Sequence, residues 1–401
     1  MDLRFDVGEL AFRARLRAWL AETLPTLPPP PDRDDWPARR RHDTGWQRRL
    51  FEAGYAGVDW PAEHGGLGAS PVEQLIFLEE TAAARAPYVG ANFVGLLHAG
   101  PTLIVAGTEE QRAAHLPRIL SGDEVWCQGF SEPDAGSDLA SLRTRAVRDG
   151  DHYVVTGRKI WTSMAHVADY CELLVRTDQD APAHKGISWL ILPMDAPGVT
   201  VRPLRTLAGT TEFAELFLDE VRVPVGNRVG AENDGWRVTM VTLSFERGTA
   251  FAAEVVACRR TLGRLARLAE AEGAWTDAVL RRRFGLLAGQ FDALWRLVQW
   301  NVSEAAAAAA RTGGDAVPGA GASVFKLRFS EARQELYDLA AEVLGSGSLL
   351  LGAVGEEEDW TGQRLQGLSY TIAAGTSQIQ RSIVAQRILG LPKPRSATRG
   401  S

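Results

Sequence analysis

The sequence predicts an α+β protein in which helical segments at both ends enclose a segment of β-strands. The spacing of apolar residues changes twice along the 401 residues. It is helical up to about residue 125, consists of short separated runs from about 126 to 235, and is helical again after Gly235. We therefore expect an N-terminal helical domain at 1–125, a middle β-domain at 126–235 and a C-terminal helical domain at 236–401.

The N-terminal part carries the apolar spacing of helices. Phe12, Leu16 and Leu20 fall on one helical face. A proline-rich break follows at 25–31, and helical spacing is found again at 109–120, where the charges lie on one side. These features predict several helices separated by loops.

The middle part is expected to form strands. Short, partly alternating apolar runs rich in Val, Ile and Leu cover residues 170–177, 187–193 and 214–223. Gly, Pro and Asp separate these runs, as is typical of a β-domain.

The C-terminal part predicts a helix bundle. Six apolar residues follow a spacing of 4-3-4-3-4, namely Leu280, Phe284, Leu287, Phe291, Leu294 and Val298. This spacing places them on one helical face, the seam expected in a bundle, and we interpret the face as core rather than as the wall of a cofactor site. The alanine run at 305–310 predicts helix, and 313–321 predicts a loop.

Composition argues against several classes of protein. The net charge of −6 does not suit a nucleic-acid-binding protein, and no stretch of about 18 uncharged apolar residues would span a membrane. The first residues lack the apolar core of a signal peptide. The three cysteines, Cys127, Cys171 and Cys258, are scattered without metal-ligand spacing, so we expect reduced thiols, no metal site and a cytoplasmic location.

Two loop-containing segments carry the strongest indication of function. Residues 127–139 read CQGFSEPDAGSDL, and residues 153–163 read YVVTGRKIWTS. Both join extended segments to loops of small residues, whose backbone N–H groups and short hydroxyls can surround a planar ring and hold a phosphate. Each alone is an ordinary turn. No Gly-x-Gly-x-x-Gly follows a strand, so a Rossmann nucleotide site is not indicated.

Together the two segments resemble the flavin-binding signatures of the acyl-CoA dehydrogenase family. The resemblance extends over nearly the whole chain, including residues 54–66 and the sequence GTSQIQR at 375–381. It implies an N-terminal helical domain, a β-barrel-like middle domain and a C-terminal four-helix bundle. It also implies FAD-dependent α,β-dehydrogenation of an acyl-CoA to the 2-enoyl-CoA, with flavin N5 as the hydride acceptor.

The resemblance also implies which residues hold FAD. Those against the flavin ring and pyrophosphate would be Gln128, Phe130, Ser131, Gly136, Ser137, Trp161, Thr162 and Ser163. Thr376 and Gln378 would reach the adenosine end, and Gly345 would approach the flavin of a neighbouring subunit. Glu342 stands where the family has a Gln upstream of that glycine turn.

The catalytic base departs from the family's commonest arrangement. Many members place a Glu directly before the Gly of Gly-Thr-Ser, but this chain has Ala374 before Gly375, and alanine cannot accept a proton. A second arrangement places the Glu before an Arg on a helix of the C-terminal domain, which Glu246 and Arg247 match. Beside Phe245, the Glu246 carboxylate would be partly desolvated, which raises its pKa and improves it as a base. The alternative is a structural ion pair between Glu246 and Arg247.

Partners and alternatives follow from the same resemblance. Polarisation of the thioester carbonyl would fall to the backbone N–H of Ala374. An electron-transfer flavoprotein would take the electrons, and the chain would form a homotetramer or an α2β2 assembly with a related chain, as in bacterial members that act on steroid side chains. The alternatives are a dehydrogenase of acyl groups on a carrier protein, a flavin oxidase or monooxygenase, and a non-catalytic partner subunit. The sequence leaves open the acyl group and the pathway.

Overall fold

The computed structural model describes residues 5–246, 252–312, 321–351 and 359–392. By its internal contacts the chain divides into two compact units, and the division falls between Glu246 and Arg247. The helices before residue 125 and the sheet lie in the same unit, and the three domain boundaries at 1–125, 126–235 and 236–401 stay predictions.

The first unit begins with helices. They are α1 (Val7–Thr23), α2 (Trp36–Glu52), α3 (Pro71–Ala83), α4 (Gly100–Ala106) and α5 (Glu109–Ser121). Capping boxes begin three of them, because the side chains of Asp6, Ser70 and Thr108 each accept the N–H three residues on. The apolar face predicted for the first helix, with Phe12, Leu16 and Leu20, is buried.

A single sheet follows these helices. Its strands are β1 (Trp126–Gly129), β2 (Arg145–Asp149), β3 (His152–Ser163), β4 (Tyr170–Arg176), β5 (Ile187–Pro193), β6 (Val199–Leu204), β7 (Phe213–Pro224) and β8 (Arg228–Val229). Their order is β6-β7-β3-β2-β4-β5-β8, and β1 pairs with β4 in parallel. The predicted strands at 170–177, 187–193 and 214–223 are confirmed as β4, β5 and β7.

The centre of the sheet is buried on both faces. In β4, Leu174 belongs to the core shared with the helices, whereas Leu173 and Val175 belong to a second core on the opposite face. This double burial explains the nearly continuous apolar run of β4 in the sequence.

The last helix of the first unit is α6 (Gly235–Glu246). It packs on β5 and α4, and the hydroxyls of Thr242 and Thr102 lie 2.9 Å apart across the contact with α4. A Cβ on Gly235 would come within 2.5–2.7 Å of the backbone of Ser188 and Trp189. Only glycine therefore allows α6 to begin this close to the sheet.

The described part of the second unit is helical. Its helices are α7 (Ala252–Ala271), α8 (Ala278–Thr312), α9 (Gly321–Leu344), α10 (Trp360–Gly367) and α11 (Ser377–Ile383). Helix α9 packs against each of the other four. The six residues of the 4-3-4-3-4 stripe on α8 are all buried, which confirms their interpretation as core.

Two further expectations concern the same unit. The alanine run at 305–310 lies in α8, as predicted. The predicted loop at 313–321 lies outside the described residues except for Gly321, which begins α9. Within the described ranges, no helix combines the length and the apolar character needed to cross a membrane.

The start of α6 gives a test of this packing. Gly235→Ala should destabilise the protein by about 1–3 kcal/mol, because the new methyl group meets backbone atoms that cannot move independently. Gly45→Ala is the matched control: Gly45 lies inside α2 with open space around it, and alanine there should stabilise by about 0.5–1 kcal/mol. Thermal melting of the two variants should shift in opposite directions; equal melting temperatures would contradict the packing.

Candidate active site

The first predicted flavin segment leaves the sheet at the end of β1. A Cβ on Gly129 would lie 2.8 Å from Cys171 Sγ and 2.9 Å from Leu173 Cδ1, so glycine permits the close approach of β1 to β4. Next to it, Gln128 Nε2 donates to Glu172 Oε1 at 2.7 Å and lies 3.3 Å from His98 Nδ1. The Gln128 side chain is thus tied to a buried polar cluster.

A buried ion pair joins the two predicted flavin segments. Lys159, on β3, has no solvent exposure, and its Nζ lies 2.8 Å from Glu132 Oε1. The Glu132 carboxylate also accepts the backbone N–H groups of Arg143, at 2.7 Å, and Thr144, at 2.8 Å. The loop after β1 is therefore closed at both ends around one carboxylate.

The charge state of the pair follows from these contacts. Burial raises the pKa of Glu132, but the charge and hydrogen bond of Lys159 and the donors at Thr144 and Arg143 outweigh it, so the net shift is downward. We conclude that Glu132 is held as a carboxylate. Burial lowers the pKa of Lys159, and the charge of Glu132 opposes this shift.

Hydrogen bonds to backbone carbonyls also join the two predicted flavin segments. Lys159 Nζ also donates to the carbonyl of Phe130 at 3.2 Å, and the N–H of Ile160 donates to the carbonyl of Ser131 at 2.9 Å. Phe130 is buried, whereas Ser131 is only partly so. The ion pair and these two bonds place the start of the loop directly on β3.

A bulge in β3 turns Trp161 outward. The register between β3 and β7 shifts between Lys159 and Thr162, and Trp161 has a φ of +60°. Its indole is 57% exposed and meets the ring of Phe213 edge to face, with centroids 5.9 Å apart. Trp161 is therefore not a buried anchor of the sheet, and the bulge presents an aromatic face to solvent.

Short hydroxyls surround this bulge. Thr162 is fully buried, and its Oγ1 has no hydrogen-bond partner among the described residues. Ser163 is partly buried and pairs with Phe213 across the sheet. A buried hydroxyl without a partner and an exposed indole suit a bound group that offers both a planar ring and polar edges.

The glycine-rich part of the loop is open. Gly136 has no atom within 4 Å of the position that a Cβ would take, and both Gly136 and Ser137 are exposed. Their backbone groups and hydroxyl are accessible, as the binding of a pyrophosphate would require. The residues predicted on the two flavin segments, from Gln128 to Ser163, thus all belong to the first unit. Their exposed indole, short hydroxyls and open loop suit a flavin.

The predicted base lies at the end of the described part of the first unit. Glu246 is the last residue of α6, but the structure does not describe its side chain, and Arg247 lies outside the described residues. The assignment of both residues to catalysis stays a prediction.

In the second unit, Ala374 and Gly375 form a left-handed turn. Their φ angles are +52° and +83°. Gln380 Nε2 donates to the carbonyl of Ala374 at 2.9 Å, and Lys326 Nζ donates to the carbonyl of Gly375 at 2.7 Å. Thr376 then caps α11, because its Oγ1 accepts the N–H of Ile379 at 3.2 Å.

The remaining predicted residues lie at the surface of the second unit. Gln378 is exposed on α11, and Gly345, with a φ of +53°, follows α9 in an exposed short helix (Gly345–Leu349). Glu342, at the end of α9, forms an ion pair with Arg283 of α8. The contacts predicted for Gly345, Thr376 and Gln378 with FAD stay predictions.

Three residues that organise these sites have no role predicted from the sequence, namely Glu132, Lys159 and Lys326. Glu132 and Lys159 stand inside the flavin signatures, so their position in the sequence could have indicated a role at the site. The indication for Lys326 is weaker: it is a lysine between Phe325 and Phe329, two buried apolar residues of the same helix. Among the described residues, no group of three or more His, Cys, Asp or Glu side chains could hold a metal ion.

Comparison with known proteins covers almost the whole chain. Models of the acyl-CoA dehydrogenase N-terminal, middle and C-terminal domains match residues 8–123, 127–221 and 233–389. Acyl-CoA dehydrogenase IpdE1 of Mycobacterium tuberculosis is 39% identical over 97% of this chain and 98% of that protein. Acyl-CoA dehydrogenase FadE29 of the same organism is 35% identical over 94% of this chain and 97% of its own length.

Solved structures give the same result. The Tcur3481-Tcur3483 steroid ACAD matches with a TM-score of 0.81 and 34% identity, covering 98% of this chain and 100% of that one. The ChsE4-ChsE5 complex from Mycobacterium tuberculosis matches with a TM-score of 0.78 and 33% identity, with the same two coverages of 98% and 100%.

The ion pair between Glu132 and Lys159 gives a second test. Lys159→Met should destabilise the protein by about 3–5 kcal/mol, because it leaves a buried carboxylate without its cation. Arg158→Met is the matched control: Arg158 is the preceding residue of β3, and its pair with Glu215 lies at the surface, where such pairs contribute at most about 1 kcal/mol. Urea denaturation followed by tryptophan fluorescence measures both. Equal midpoints for the two variants would show that the buried pair is not a main support of the loop.

Proposed function

Because this chain belongs to the acyl-CoA dehydrogenase family, we propose that it oxidises the Cα–Cβ bond of an acyl-CoA to the 2-enoyl-CoA, with FAD as cofactor and Glu246 as the base. The observation that carries the proposal is the contact between the two flavin segments. The buried ion pair of Glu132 and Lys159 joins them, and the exposed Trp161 lies two residues after Lys159. Over 98% of the chain, its fold matches a structure described as a steroid ACAD.

The residues around the bulge hold the cofactor in this proposal. FAD, when bound, supplies the two-electron oxidant that receives the β-hydride. The indole of Trp161 would pack against the planar ring, while the hydroxyls of Ser131, Thr162 and Ser163 would bond to its polar edge. Phe130 would add apolar contact beneath the loop, and the backbone of Gln128 would add a polar one.

Other residues would contact the pyrophosphate and adenosine parts of FAD. The exposed loop at Gly136 and Ser137 would bind the pyrophosphate, because it offers backbone donors without side chains in the way. Thr376 and Gln378 would hold the adenosine end. Gly345, exposed after α9, would approach the cofactor of a neighbouring subunit, which requires an oligomer.

Glu246 would take the α-proton. Its carboxylate gains the proton as the hydride leaves the β-carbon, and the electron pair of the Cα–H bond becomes part of the new double bond. Arg247, the next residue, would balance the charge of the carboxylate. Ala374 has no group that could accept the proton, so no base stands at the family's commoner position.

The turn at Ala374 and Gly375 would polarise the thioester. Removal of the α-proton places negative charge on the carbonyl oxygen, and a backbone N–H aimed at this oxygen lowers the barrier. Alanine keeps its N–H, so the donor survives the loss of the side chain.

The substrate class is proposed from the similar proteins. A solved structure at 34% identity is described as a steroid ACAD, so we extend the proposal to CoA thioesters of steroid-derived acyl groups. The three described cysteines are free, which suits a reducing compartment, and we place the protein in the cytoplasm with an electron-transfer flavoprotein as acceptor.

The oligomeric assembly is also proposed from the similar proteins. The names Tcur3481-Tcur3483 and ChsE4-ChsE5 complex each join two components. We therefore favour an α2β2 assembly with a related chain over the homotetramer. A subunit that completes a partner's site without catalysis of its own is the competing function.

The cofactor is tested first. Protein purified after expression alone should be yellow, and heating should release FAD rather than FMN, because the cofactor contacts proposed for Thr376 and Gln378 require an adenosine end. FMN as the sole flavin would contradict the proposal. A colourless protein that gains FAD only when expressed with a related chain would favour the partner-subunit function instead.

The base is tested next, by anaerobic titration with a panel of acyl-CoAs that includes steroid-derived ones. Glu246→Gln should slow flavin reduction by about a hundred-fold to ten-thousand-fold, because an amide cannot accept the α-proton. Binding of FAD and acyl-CoA should remain. Stopped-flow absorbance of the flavin measures the step directly, and Ala374→Glu in the same background should restore part of the rate.

Glu254→Gln is the control for this assignment. Glu254, on α7, is a described carboxylate whose pKa burial raises, although Arg333 and Tyr370 oppose the shift. It therefore competes for the role of base. We expect Glu254→Gln to keep most of the reduction rate; loss of the rate in this variant, with retention in Glu246→Gln, would move the base to α7.

A further inference from the structure

We infer that Lys326 is a positioning residue for the reaction: with Gln380, it fixes the backbone of Ala374 and Gly375 so that the N–H groups of this turn face the thioester oxygen. The inference rests on the proposed function, since the turn acts on a carbonyl only if an acyl-CoA is bound. It adds a role for two side chains that lie outside the base and the cofactor residues.

The contacts define a clamp on two successive carbonyls. Lys326, on α9, is buried, and its Nζ lies 2.7 Å from the oxygen of Gly375. Gln380, on α11, is also buried, and its Nε2 lies 2.9 Å from the oxygen of Ala374 and 3.4 Å from that of Gly375. Two donors from different helices therefore converge on one side of the turn.

The direction of two N–H groups follows from the planarity of the peptides. No described peptide bond is cis, and in a trans peptide the C=O and the N–H point in opposite directions. Because Lys326 and Gln380 hold the carbonyls of Gly375 and Ala374, the N–H groups of Thr376 and Gly375 face away from these two side chains.

The charge of Lys326 also strengthens the turn as a donor. A hydrogen bond from an ammonium to a carbonyl is charge-assisted, and burial of Lys326 keeps water from screening it. It polarises the peptide between Gly375 and Thr376, and Gln380 polarises the one between Ala374 and Gly375. Both effects increase the positive potential at the N–H groups of Thr376 and Gly375, next to the N–H of Ala374 that the proposed function directs at the thioester oxygen.

The segment before the turn is held by the same helix. Arg333, seven residues after Lys326 on α9, lies with its guanidinium carbon 4.0 Å from the ring centroid of Tyr370. Gln334 Nε2 donates to the carbonyl of Gly367 and to Thr371 Oγ1, both at 3.1 Å. Helix α9 thus supports the chain from 367 to 375, and Lys326 holds the end that forms the turn.

Gly375 is required for the turn that Lys326 and Gln380 hold. A Cβ at this position would lie 2.8 Å from Gln380 Nε2, and the φ of +83° is one that side-chain-bearing residues rarely adopt. The glycine therefore permits both the left-handed backbone and the close approach of Gln380.

The test measures carbonyl polarisation rather than turnover alone. A 2-enoyl-CoA labelled with ¹³C at the thioester carbonyl is bound to the oxidised holoenzyme, and its infrared band is compared with that in water. We expect a downward shift in the wild type and a smaller shift in Lys326→Met. Flavin reduction by the best acyl-CoA should slow about ten-fold, less than the loss of a whole donor causes, while the Kd for the acyl-CoA changes less than three-fold.

Matched variants separate positioning from general destabilisation. Arg328→Met removes a cation from the same helix, but Arg328 is exposed and pairs with Glu331 at 2.9 Å. It should leave the band and the rate unchanged. Lys326→Arg keeps a buried cation and should recover part of both, which a purely structural loss of Lys326 would not predict.

Each remaining outcome decides the inference. If Lys326→Met and Arg328→Met give the same band and rate, the inference is wrong and the proposed function stands. If Lys326→Met does not fold, Gln380→Met removes the other donor to the turn, and a band equal to that of the wild type in this variant overturns the inference. If no acyl-CoA reduces the wild type and the enoyl-CoA band matches that in water, the proposed function fails and the inference fails with it.

Discussion

The buried ion pair of Glu132 and Lys159 is the interaction on which the candidate flavin surface depends. A carboxylate away from water requires several donors, and Glu132 finds them in Lys159 and in the N–H groups of Arg143 and Thr144. These partners belong to both sequence signatures and to the chain between them. The pair therefore links the two signatures physically: it ties the loop after β1 to β3, and Trp161 stands two residues beyond Lys159.

The second unit fixes the turn at Ala374 and Gly375 by a related means. Lys326 is buried like Lys159, and its Nζ donates to a backbone carbonyl. A buried ammonium needs acceptors because its charge is costly in a medium of low polarity. In each unit this need ties a backbone segment to a rigid element, β3 in the first and α9 in the second, and so holds main-chain groups in place.

Periodicity predicted the parts of the fold that are buried and failed where exposure interrupts it. The stripe from Leu280 to Val298 and the strands β4, β5 and β7 were predicted because their apolar residues face a core. β2 reads Arg-Ala-Val-Arg-Asp and is largely exposed, so its strand character comes from pairing with β3. In the site, the outward turn of Trp161 could not be predicted, since it depends on a bulge that no spacing of residues signals. Lys326 was missed because its partner lies 49 residues away.

The geometry of the turn explains how a member of this family can lack a carboxylate at residue 374. The backbone there is held through its carbonyls by Lys326 and Gln380, and its shape is permitted by Gly375. The side chain of residue 374 takes part in none of these contacts. Exchange of an acidic residue for alanine therefore removes a proton acceptor but leaves the N–H groups where they are. Under the proposed function, the base lies on another helix, α6, without any change in how the turn would polarise the thioester, so proton removal and carbonyl polarisation are physically separable in this chain.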